Sequence, residues 1–264
     1  MISIAFYLLS LITVLAYTTV LFFIAQTKKD NSIIDIGYGL GFIFTAIMLM
    51  LAEHARGSLS SYTILLFILM CIWGIRLAFR IYTKNKGEGE DFRYQTWRKD
   101  WGKKGVIYYY ARAYLQIFIL QGLIISIVLL PFTLTVGGSS SGSPVLFGLI
   151  LWVIGFFFES IGDRQLDKFI HSKSEHKGSI MKTGLWKYTR HPNYFGESLM
   201  WFGLACISLA SGSSYLVFLS PILITSLLLF VSGIPLLEKK WGGVTEWEVY
   251  KSKTSAFIPL PPKQ

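Results

Sequence analysis

The stretch GLWKYTRHPNYFGESLMW, residues 184–201, carries the residues with the clearest chemical potential. Pro192 suits the first turn of a helix, and Asn193 and Glu197 then lie one turn apart on the same helix face. Together with His191 they crowd the entrance of an apolar helix, where a charged side chain is costly and marks a functional site by default. We therefore predict that this helix start binds a polar ligand and does not merely anchor the helix at a membrane surface.

A second concentration of polar side chains lies in the loop NKGEGEDFRYQTWRKDWGKK, residues 85–104. Arginine binds phosphate through paired hydrogen bonds, carboxylates accept hydrogen bonds from ribose hydroxyls, and aromatic rings stack on flat rings. Asp91, Arg93 and Tyr94 offer these three kinds of group close together in the chain. The loop has the residue types that a nucleotide cofactor needs, although the same composition is also ordinary in a solvated loop.

Further ionisable residues fall inside or at the ends of apolar runs, and most of them cluster beside two large basic loops. Each is a candidate for function, and the alternative for each is pairing or snorkelling at the membrane interface. These residues are Asp35, Glu53, Arg76, Arg80, Arg112, Glu159, Asp163, Arg164, Asp167 and Glu238.

Several familiar catalytic and binding motifs are absent from the sequence. It contains no GxGxxG after a strand, no GxxxxGK[ST] and no HExxH, so Rossmann, P-loop and zinc-protease sites have no support. The four histidines lie in different loops, and the two cysteines lie inside apolar runs without metal-ligand or disulfide spacing. We predict no metal site and no nucleic-acid partner.

The composition is that of a membrane protein. Charged residues make up 15% of the 264-residue chain, against roughly 25% in soluble domains. The apolar residues form runs long enough to cross a bilayer, for which about 20 residues are needed. We predict an all-α integral membrane protein that forms a single domain over residues 1–264. Its seven transmembrane helices are expected at roughly 3–25, 33–52, 61–82, 107–135, 145–162, 195–211 and 214–236.

The distribution of lysine and arginine predicts the orientation of these helices. Alternate loops and the C-terminal tail hold 21 of these residues, whereas the three intervening loops hold Arg56 alone. Because positively charged loops stay in the cytoplasm, we predict an N-terminus outside and a C-terminus inside. The loops 84–106 and 163–193 and the tail 239–264 would then form the cytoplasmic side that receives the cofactor.

Taken together, these residues resemble those of the steroid 5-alpha-reductase-like membrane enzymes. The stretch GLWKYTRHPNYFGE is similar to the C-terminal signature of that superfamily, whose core is shared with isoprenylcysteine carboxyl methyltransferases and sterol C14-reductases. The similarity covers roughly residues 70–260. Further blocks resemble its bacterial branch: GEGEDFRYQTWRKDWGKK, FFFESIGDRQLDKF, SGIPLLEKKW and YKSKTSAFIPLP.

The resemblance implies a seven-helix fold with a cofactor pocket that opens to the cytoplasm. The cofactor is NADPH in the reductases and S-adenosylmethionine in the methyltransferases. By motif, Asp163, Tyr188, Asn193 and Glu197 match residues that hold the cofactor, and Asn85 and Arg93 fall in a loop that contacts it. With the residues singled out by type, the predicted cofactor-binding set is Asn85, Asp91, Arg93, Tyr94, Asp163, Tyr188, Arg190, His191, Asn193 and Glu197.

The catalytic end departs from the family pattern. Steroid reductases place a Gln–Glu pair on an early helix and a tyrosine on the next helix. Here Ala52 precedes Glu53 where the glutamine is expected, and Trp73 stands near the tyrosine position. We predict Glu53 and Trp73 as the catalytic residues, with Tyr38 or Tyr62 as possible substitutes for the missing tyrosine.

These observations lead to one expected function and two alternatives. We expect an NADPH-dependent reductase of a carbon–carbon double bond in a lipophilic enone, steroid-like or another lipid, located in a bacterial inner membrane. The alternatives are an S-adenosylmethionine-dependent methyltransferase and a non-catalytic lipid-binding protein. The expected partners are a lipophilic small molecule and membrane lipid, and no obligate protein partner is expected.

Overall fold

The chain is all-helical in the part that the structure describes. The computed structural model describes residues 2–137, 145–171 and 180–263, and these ranges contain no β-strand. Their α-helices are α1 Ile2–Lys28, α2 Ile33–His54, α3 Ser61–Asn85, α4 Phe92–Gly102, α5 Val106–Ala113, α6 Leu120–Val128, α7 Leu130–Thr135, α8 Leu146–His171, α9 Pro192–Ala210, α10 Leu219–Ser226, α11 Ile234–Lys239 and α12 Thr245–Lys253. Short π-helical turns, Tyr114–Ile119 and Leu227–Val231, join α5 to α6 and extend α10.

Six helical segments in the described ranges are long and apolar enough to cross a membrane: Ile4–Lys28, Ile33–His54, Ser61–Asn85, Val106–Val128, Leu146–His171 and Tyr215–Lys239. This agrees with an integral multi-pass membrane protein. The seventh predicted span, 195–211, is helical as α9 but is not among the six, because Pro192, Asn193 and Glu197 make its first turns polar. The count of seven, the orientation and the inner-membrane location therefore stay predictions.

The chain divides into two compact units. Unit 1 is Met1–Ser143 with Ser208–Val217, and unit 2 is Pro144–Ile207 with Phe218–Gln264. The single domain over residues 1–264 stays a prediction. The stretch GGSSSGSP, residues 137–144, lies almost entirely outside the described residues, and so does His176.

Unit 1 is built on close packing of its first three helices. Gly39 of α2 and Gly74 of α3 bring two backbones together, since a Cβ atom on Gly39 would lie 3.2 Å from the Cα atom of Gly74. The hydroxyl of Tyr17 on α1 donates to the carbonyl of Gly37 at 2.9 Å. In the interior, Phe22 packs edge-on against Phe118. Small residues and rings thus hold the helices against one another.

Capping and proline positions explain several helix boundaries in unit 1. Ser60 begins α3 by accepting a hydrogen bond from the backbone N–H of Thr63 at 3.1 Å, as an N-cap serine does. Asp91 caps α4 in the same way through the N–H of Arg93 at 2.9 Å. The long apolar run 107–135 breaks at Leu129, directly before the proline-containing start of α7, because proline fits a first helical turn and not an interior. Neither of the two cysteines, Cys71 and Cys206, forms a disulfide bond in the described part of the chain, and both are half-buried.

Candidate functional site

A glycine seam joins α8 and α9 in unit 2. Gly148, Gly155 and Gly162 recur every seven residues on α8, and Gly196 and Gly203 recur every seven residues on α9. A Cβ atom built on Gly155 would lie 2.5 Å from the carbonyl oxygen of Gly196, and one built on Gly203 would lie 2.6 Å from that of Gly148. Since these distances are shorter than any real Cβ contact, only glycine permits the approach. The two backbones therefore lie in direct contact along the seam.

Four polar side chains are positioned by this seam at one end of the helix pair. Glu159 and Asp163 lie one turn apart on α8, and each is 3% exposed. Asn193 and Glu197 lie one turn apart on α9. A Cβ atom on Gly162 would lie 3.2 Å from the backbone nitrogen of Asn193, so the start of α9 packs directly beside Asp163. The structure thus places Asp163 and Asn193 of the predicted set on neighbouring turns of packed helices.

Asn193 leaves one polar atom unsatisfied within the described part of the chain. Its Oδ1 atom is buried and accepts no hydrogen bond there. A buried acceptor without a donor costs about 1–3 kcal/mol, and such groups in native proteins usually have a reason. The Oγ atom of Ser198, further along α9, is also buried and has no hydrogen-bond partner in the described residues. An N–H or O–H group of a bound molecule would satisfy the Asn193 oxygen.

Arg190 and His191 are committed to a carboxylate of their own unit. Arg190 Nε donates to Glu238 Oε1 at 2.8 Å, and Arg190 Nη1 donates to the backbone carbonyls of Lys251 and Thr254. His191 Nε2 lies 3.1 Å from the same oxygen of Glu238. The arginine and glutamate side chains are only 8% and 12% exposed. We call this group the Glu238 clamp, and it makes Arg190 a residue that positions the start of α9, with little capacity left for a ligand phosphate.

A segment after α12, residues 255–263, returns to the chain just before α9, and we call it the strap. The N–H of Arg190 donates to the carbonyl of Ser255 at 2.9 Å, and the N–H of Leu260 donates to the carbonyl of Tyr188 at 3.0 Å. Tyr188 uses only its backbone in this contact, and its side chain is 43% exposed. The strap therefore fixes the backbone of the motif and leaves the predicted tyrosine ring accessible.

The first residues of the motif anchor it to α8. Trp186 Nε1 donates to the carbonyl of Gly162 at 3.0 Å, and the N–H of Leu185 donates to the side chain of Gln165 at 3.0 Å. From the other side, the hydroxyl of Tyr250 donates to the carbonyl of Trp186. These contacts hold residues 184–187 between α8 and α12, so Trp186 serves packing within unit 2.

In unit 1, the predicted loop residues close on one another and on α2. Arg93 Nε lies 2.9 Å from Asp91 Oδ1 and its Nη2 lies 3.1 Å from Asp35 Oδ2. The hydroxyl of Tyr94 donates to Asp35 Oδ1 at 2.7 Å. Burial raises the pKa of Tyr94, and the neighbouring Asp35 raises it further. The predicted ligands Asp91, Arg93 and Tyr94 thus dock α4 on α2, and only Arg93 keeps a large exposed part, 40% of its side chain.

Glu90 and Asp35 complete this docking, and neither belongs to the predicted cofactor-binding set. Glu90 accepts two hydrogen bonds from Arg98, at 2.8 and 2.9 Å, and one from the backbone N–H of Asn31 at 2.8 Å. Asp35 is the central acceptor for α4. An acid in the first turn of a membrane helix was a usable signal for Asp35, because it must find a partner there. Predicted Asn85 ends α3, and its carbonyl accepts from the N–H of Glu88 at 3.1 Å.

The contact between Asp91 and Arg93 should make α4 sensitive to acid. Burial alone would raise the pKa of Asp91, but hydrogen bonds and charge from Arg93 outweigh burial and hold this pKa below its ordinary value. A depressed carboxyl pKa stabilises the fold above the ordinary value, near pH 4, and this stabilisation is lost as the pH falls through the folded value. Thermal melting followed by tryptophan fluorescence at pH 6 and pH 3 should show a larger loss for wild type than for Asp91→Asn. Asp100→Asn, at an exposed pair, should melt like wild type at both values.

The predicted catalytic residues lie far apart along the helices of unit 1. Glu53 is fully buried near the end of α2, where its Oε1 accepts from the N–H of Gly137 at 3.0 Å and from Thr63 at 3.3 Å. Trp73 packs edge-on against Phe42, with ring centroids 5.4 Å apart. Trp73 lies ten residues after Thr63 on α3, roughly 15 Å along a helix axis. The structure therefore does not bring Glu53 and Trp73 into contact.

Glu53 keeps one free atom in the described part of the chain, since its Oε2 is buried and has no hydrogen-bond partner there. Trp73 packs edge-on against Phe42, and Phe42 packs edge-on against Tyr38, so the three rings form an aromatic row. The structure thus places Tyr38, one of the two considered substitutes, in the same row as Trp73. Within the described ranges, no group of three His, Cys, Asp or Glu residues is arranged to hold a metal ion.

The comparison with protein families covers most of the chain. The model of the family described as "Protein of unknown function (DUF1295)" matches residues 21–254. Neither the curated proteins nor the solved structures give a significant match. The matched range includes the glycine seam, the Glu238 clamp and all predicted site residues. The chain therefore belongs to the DUF1295 family, which lies within the steroid 5-alpha-reductase-like superfamily.

Proposed function

We propose that this protein is a membrane-bound, NADPH-dependent reductase of a carbon–carbon double bond conjugated to a carbonyl group in a lipophilic substrate. The observation that carries the proposal is the buried, unsatisfied Oδ1 atom of Asn193 at the polar end of the glycine seam. The family resemblance supports it, since Asp163, Asn193 and Glu197 match cofactor residues of the reductases.

The donors and acceptors of unit 2 fit the nicotinamide and ribose part of NADPH. A carboxamide and ribose hydroxyls present N–H and O–H donors, and the seam offers acceptors in Asn193 and in the carboxylates of Glu159, Asp163 and Glu197. The exposed ring of Tyr188 is available to stack or to donate a hydrogen bond. When bound, NADPH supplies the hydride that reduces the double bond. The Glu238 clamp and the strap keep the start of α9 in one position, which lowers the entropy cost of binding.

In unit 1, we propose that Glu53 acts as the acid and Trp73 as an apolar wall. A carboxyl group with one oxygen bound by Gly137 and Thr63 can hold a proton on the other oxygen and donate it toward a developing negative charge. Trp73 has a large apolar face, and its indole N–H can donate a hydrogen bond but is too weakly acidic to transfer its proton. Should Glu53 serve only the fold, Tyr38 in the aromatic row is the next donor to test.

The concentration of carboxylates favours S-adenosylmethionine as the alternative cofactor. Three acids, Glu159, Asp163 and Glu197, lie at the polar end of the seam. The sulfonium and ammonium groups of S-adenosylmethionine are positive, whereas NADPH carries negative phosphates, so Coulomb interaction distinguishes the two molecules. Isothermal titration of the purified protein with both compounds decides between them. Tight binding of S-adenosylmethionine without binding of NADPH would overturn the reductase proposal.

Asn193→Leu is expected to weaken NADPH binding about 10-fold, because it removes one hydrogen-bond acceptor worth roughly 1–1.5 kcal/mol. Leucine is close to asparagine in size, so the fold should persist. Isothermal titration gives the affinity, and the melting temperature reports on folding. Gln116→Leu makes the same chemical change on the π-helical turn after α5 in unit 1 and should leave the affinity unchanged. Equal affinities for wild type and Asn193→Leu would remove Asn193 from the site.

A further inference from the structure

A basic groove lies on unit 2, and none of its lining residues belongs to the polar end of the seam. It has a volume of about 590 Å³, within the usual range for ligand sites. Its walls are the segment before α9, helix α12 and the end of the strap. Three lysines line it, Lys182, Lys187 and Lys253, together with the threonines Thr245 and Thr254. The groove therefore presents ammonium and hydroxyl donors to whatever occupies it.

The positive charge of the groove is poorly compensated. Lys182 pairs with Glu246, but these side chains are 44% and 42% exposed, and an exposed pair is worth at most about 1 kcal/mol. In the described part of the chain, no carboxylate lies within ion-pair distance of Lys187 or Lys253. Like charges gathered around a concave surface raise the local potential. An anion entering the groove would lower this repulsion.

The walls of the groove are held in place by hydrogen bonds within unit 2. Tyr250 forms part of the lining, is buried, and donates its hydroxyl to the carbonyl of Trp186. The N–H of Lys263 donates to the carbonyl of Lys253 at 2.8 Å, which ties the end of the strap to the end of α12. Because these contacts lie within unit 2, they hold the walls in position independently of an occupant.

The surroundings of the groove favour a lipid over a soluble anion. Helix α12 begins a few residues after Lys239, where the last apolar segment ends. Val249, Ile258 and Leu260 lie outside all six candidate spans, yet they are 55%, 57% and 53% exposed. Lysines beside exposed aliphatic side chains are typical of a protein surface that lies at the level of the lipid headgroups. There the lysines contact anionic lipid.

We propose that this groove binds the phosphate of an anionic phospholipid headgroup, with Lys187 and Lys253 as its principal ligands. Lysine binds phosphate as a point charge, and the three ammonium groups suit a headgroup of variable orientation. The aliphatic side chains would face the acyl boundary of the same leaflet. This site is independent of the proposed reductase activity, and it would couple the strap to the lipid composition of the membrane.

The test is native mass spectrometry of the full chain, titrated in neutral detergent with phosphatidylglycerol, phosphatidylcholine and inorganic pyrophosphate. We expect saturable binding of phosphatidylglycerol and none of phosphatidylcholine. The double variant Lys187→Gln with Lys253→Gln should bind phosphatidylglycerol about 10- to 30-fold more weakly, because each juxtamembrane lysine contributes about a factor of five. The double variant Lys99→Gln with Lys103→Gln, at the C-terminal end of α4, serves as the matched control and should bind like wild type.

Lys187→Arg with Lys253→Arg keeps both charges and should keep the binding, which separates charge from fold. A melting temperature equal to that of wild type shows that the glutamine variant is folded; if it is not, the arginine variant and the control carry the comparison. Equal phosphatidylglycerol affinity for wild type and the glutamine variant would overturn the proposal. Binding of pyrophosphate without phosphatidylglycerol would also overturn it, in favour of a soluble phosphate ligand.

Discussion

Replacing Arg190 with alanine is expected to destabilise unit 2 by about 3–5 kcal/mol, the range for breaking a buried ion pair by removing one partner. The change leaves the Glu238 carboxylate, 12% exposed, with His191 at 3.1 Å and the Lys251 ammonium at 4.0 Å. It also removes the hydrogen bonds to the carbonyls of Lys251 and Thr254. The start of α9 should lose its fixed position, so cofactor binding should fall together with stability. Thermal melting in detergent and NADPH titration measure the two effects.

Arg164→Ala provides the control for this prediction, because Arg164 is an exposed arginine on α8. Its removal should change the melting temperature little, as surface substitutions usually do. Arg190→Lys should lie between wild type and Arg190→Ala, since lysine keeps the charge but not the planar fork that reaches several acceptors. A melting temperature of Arg190→Ala equal to that of Arg164→Ala would show that the Glu238 clamp contributes nothing to the fold.

Gly155→Ala is expected to separate α8 from α9 and to cost about 1–3 kcal/mol, as overpacking a tight interface does. The new methyl group would lie 2.5 Å from the Gly196 carbonyl oxygen and 2.7 Å from the Met200 nitrogen, both backbone atoms that cannot rotate away. The shift of α9 would displace Asn193 from Asp163, so the proposed binding of NADPH should weaken more than the loss of stability alone explains. Melting and titration are measured on the same preparation.

Gly102→Ala gives the matched comparison, because Gly102 ends helix α4 and a Cβ atom there meets nothing within 4 Å. Alanine in that helical position should be neutral or slightly stabilising. If Gly155→Ala had the same melting temperature and NADPH affinity as Gly102→Ala, the backbone contact along the seam would contribute neither to stability nor to binding. If it melted normally but bound no cofactor, the seam would act on the ligand site alone.

The sequence predicted the helices better than the roles of the side chains. Run length alone located six apolar segments, because a bilayer demands long uninterrupted apolar stretches. The start of a helix at Pro192 is confirmed, since proline chemistry is local. The function of Arg190 could not be predicted in this way. Its partners, Glu238, Lys251 and Thr254, lie 48 to 64 residues further along the chain, and no local pattern reports contacts at that separation.

The same limit applies to the loop in unit 1. Asp91, Arg93 and Tyr94 have the residue types of a nucleotide site, and the structure gives all three a partner inside the protein, with Asp35 as the common acceptor for two of them. Composition cannot distinguish a side chain that binds a ligand from one that holds two helices together. A buried acceptor without a donor, such as Asn193 Oδ1, separates these cases, and it is visible only once the neighbours are placed.

The proline content of the strap restricts how it can pair. In PLPPK, residues 259–263, only Leu260 and Lys263 carry a backbone N–H, and both donate, to Tyr188 and to Lys253. A slip of the strap by one residue in either direction would bring a proline nitrogen to the carbonyl of Tyr188, where no hydrogen bond can form. The prolines also limit the conformations of the unbound segment, which lowers the entropy lost on docking. The alignment of the strap with the HPN motif is therefore specified by which amide hydrogens are missing, so its register should tolerate side-chain changes that keep the three prolines.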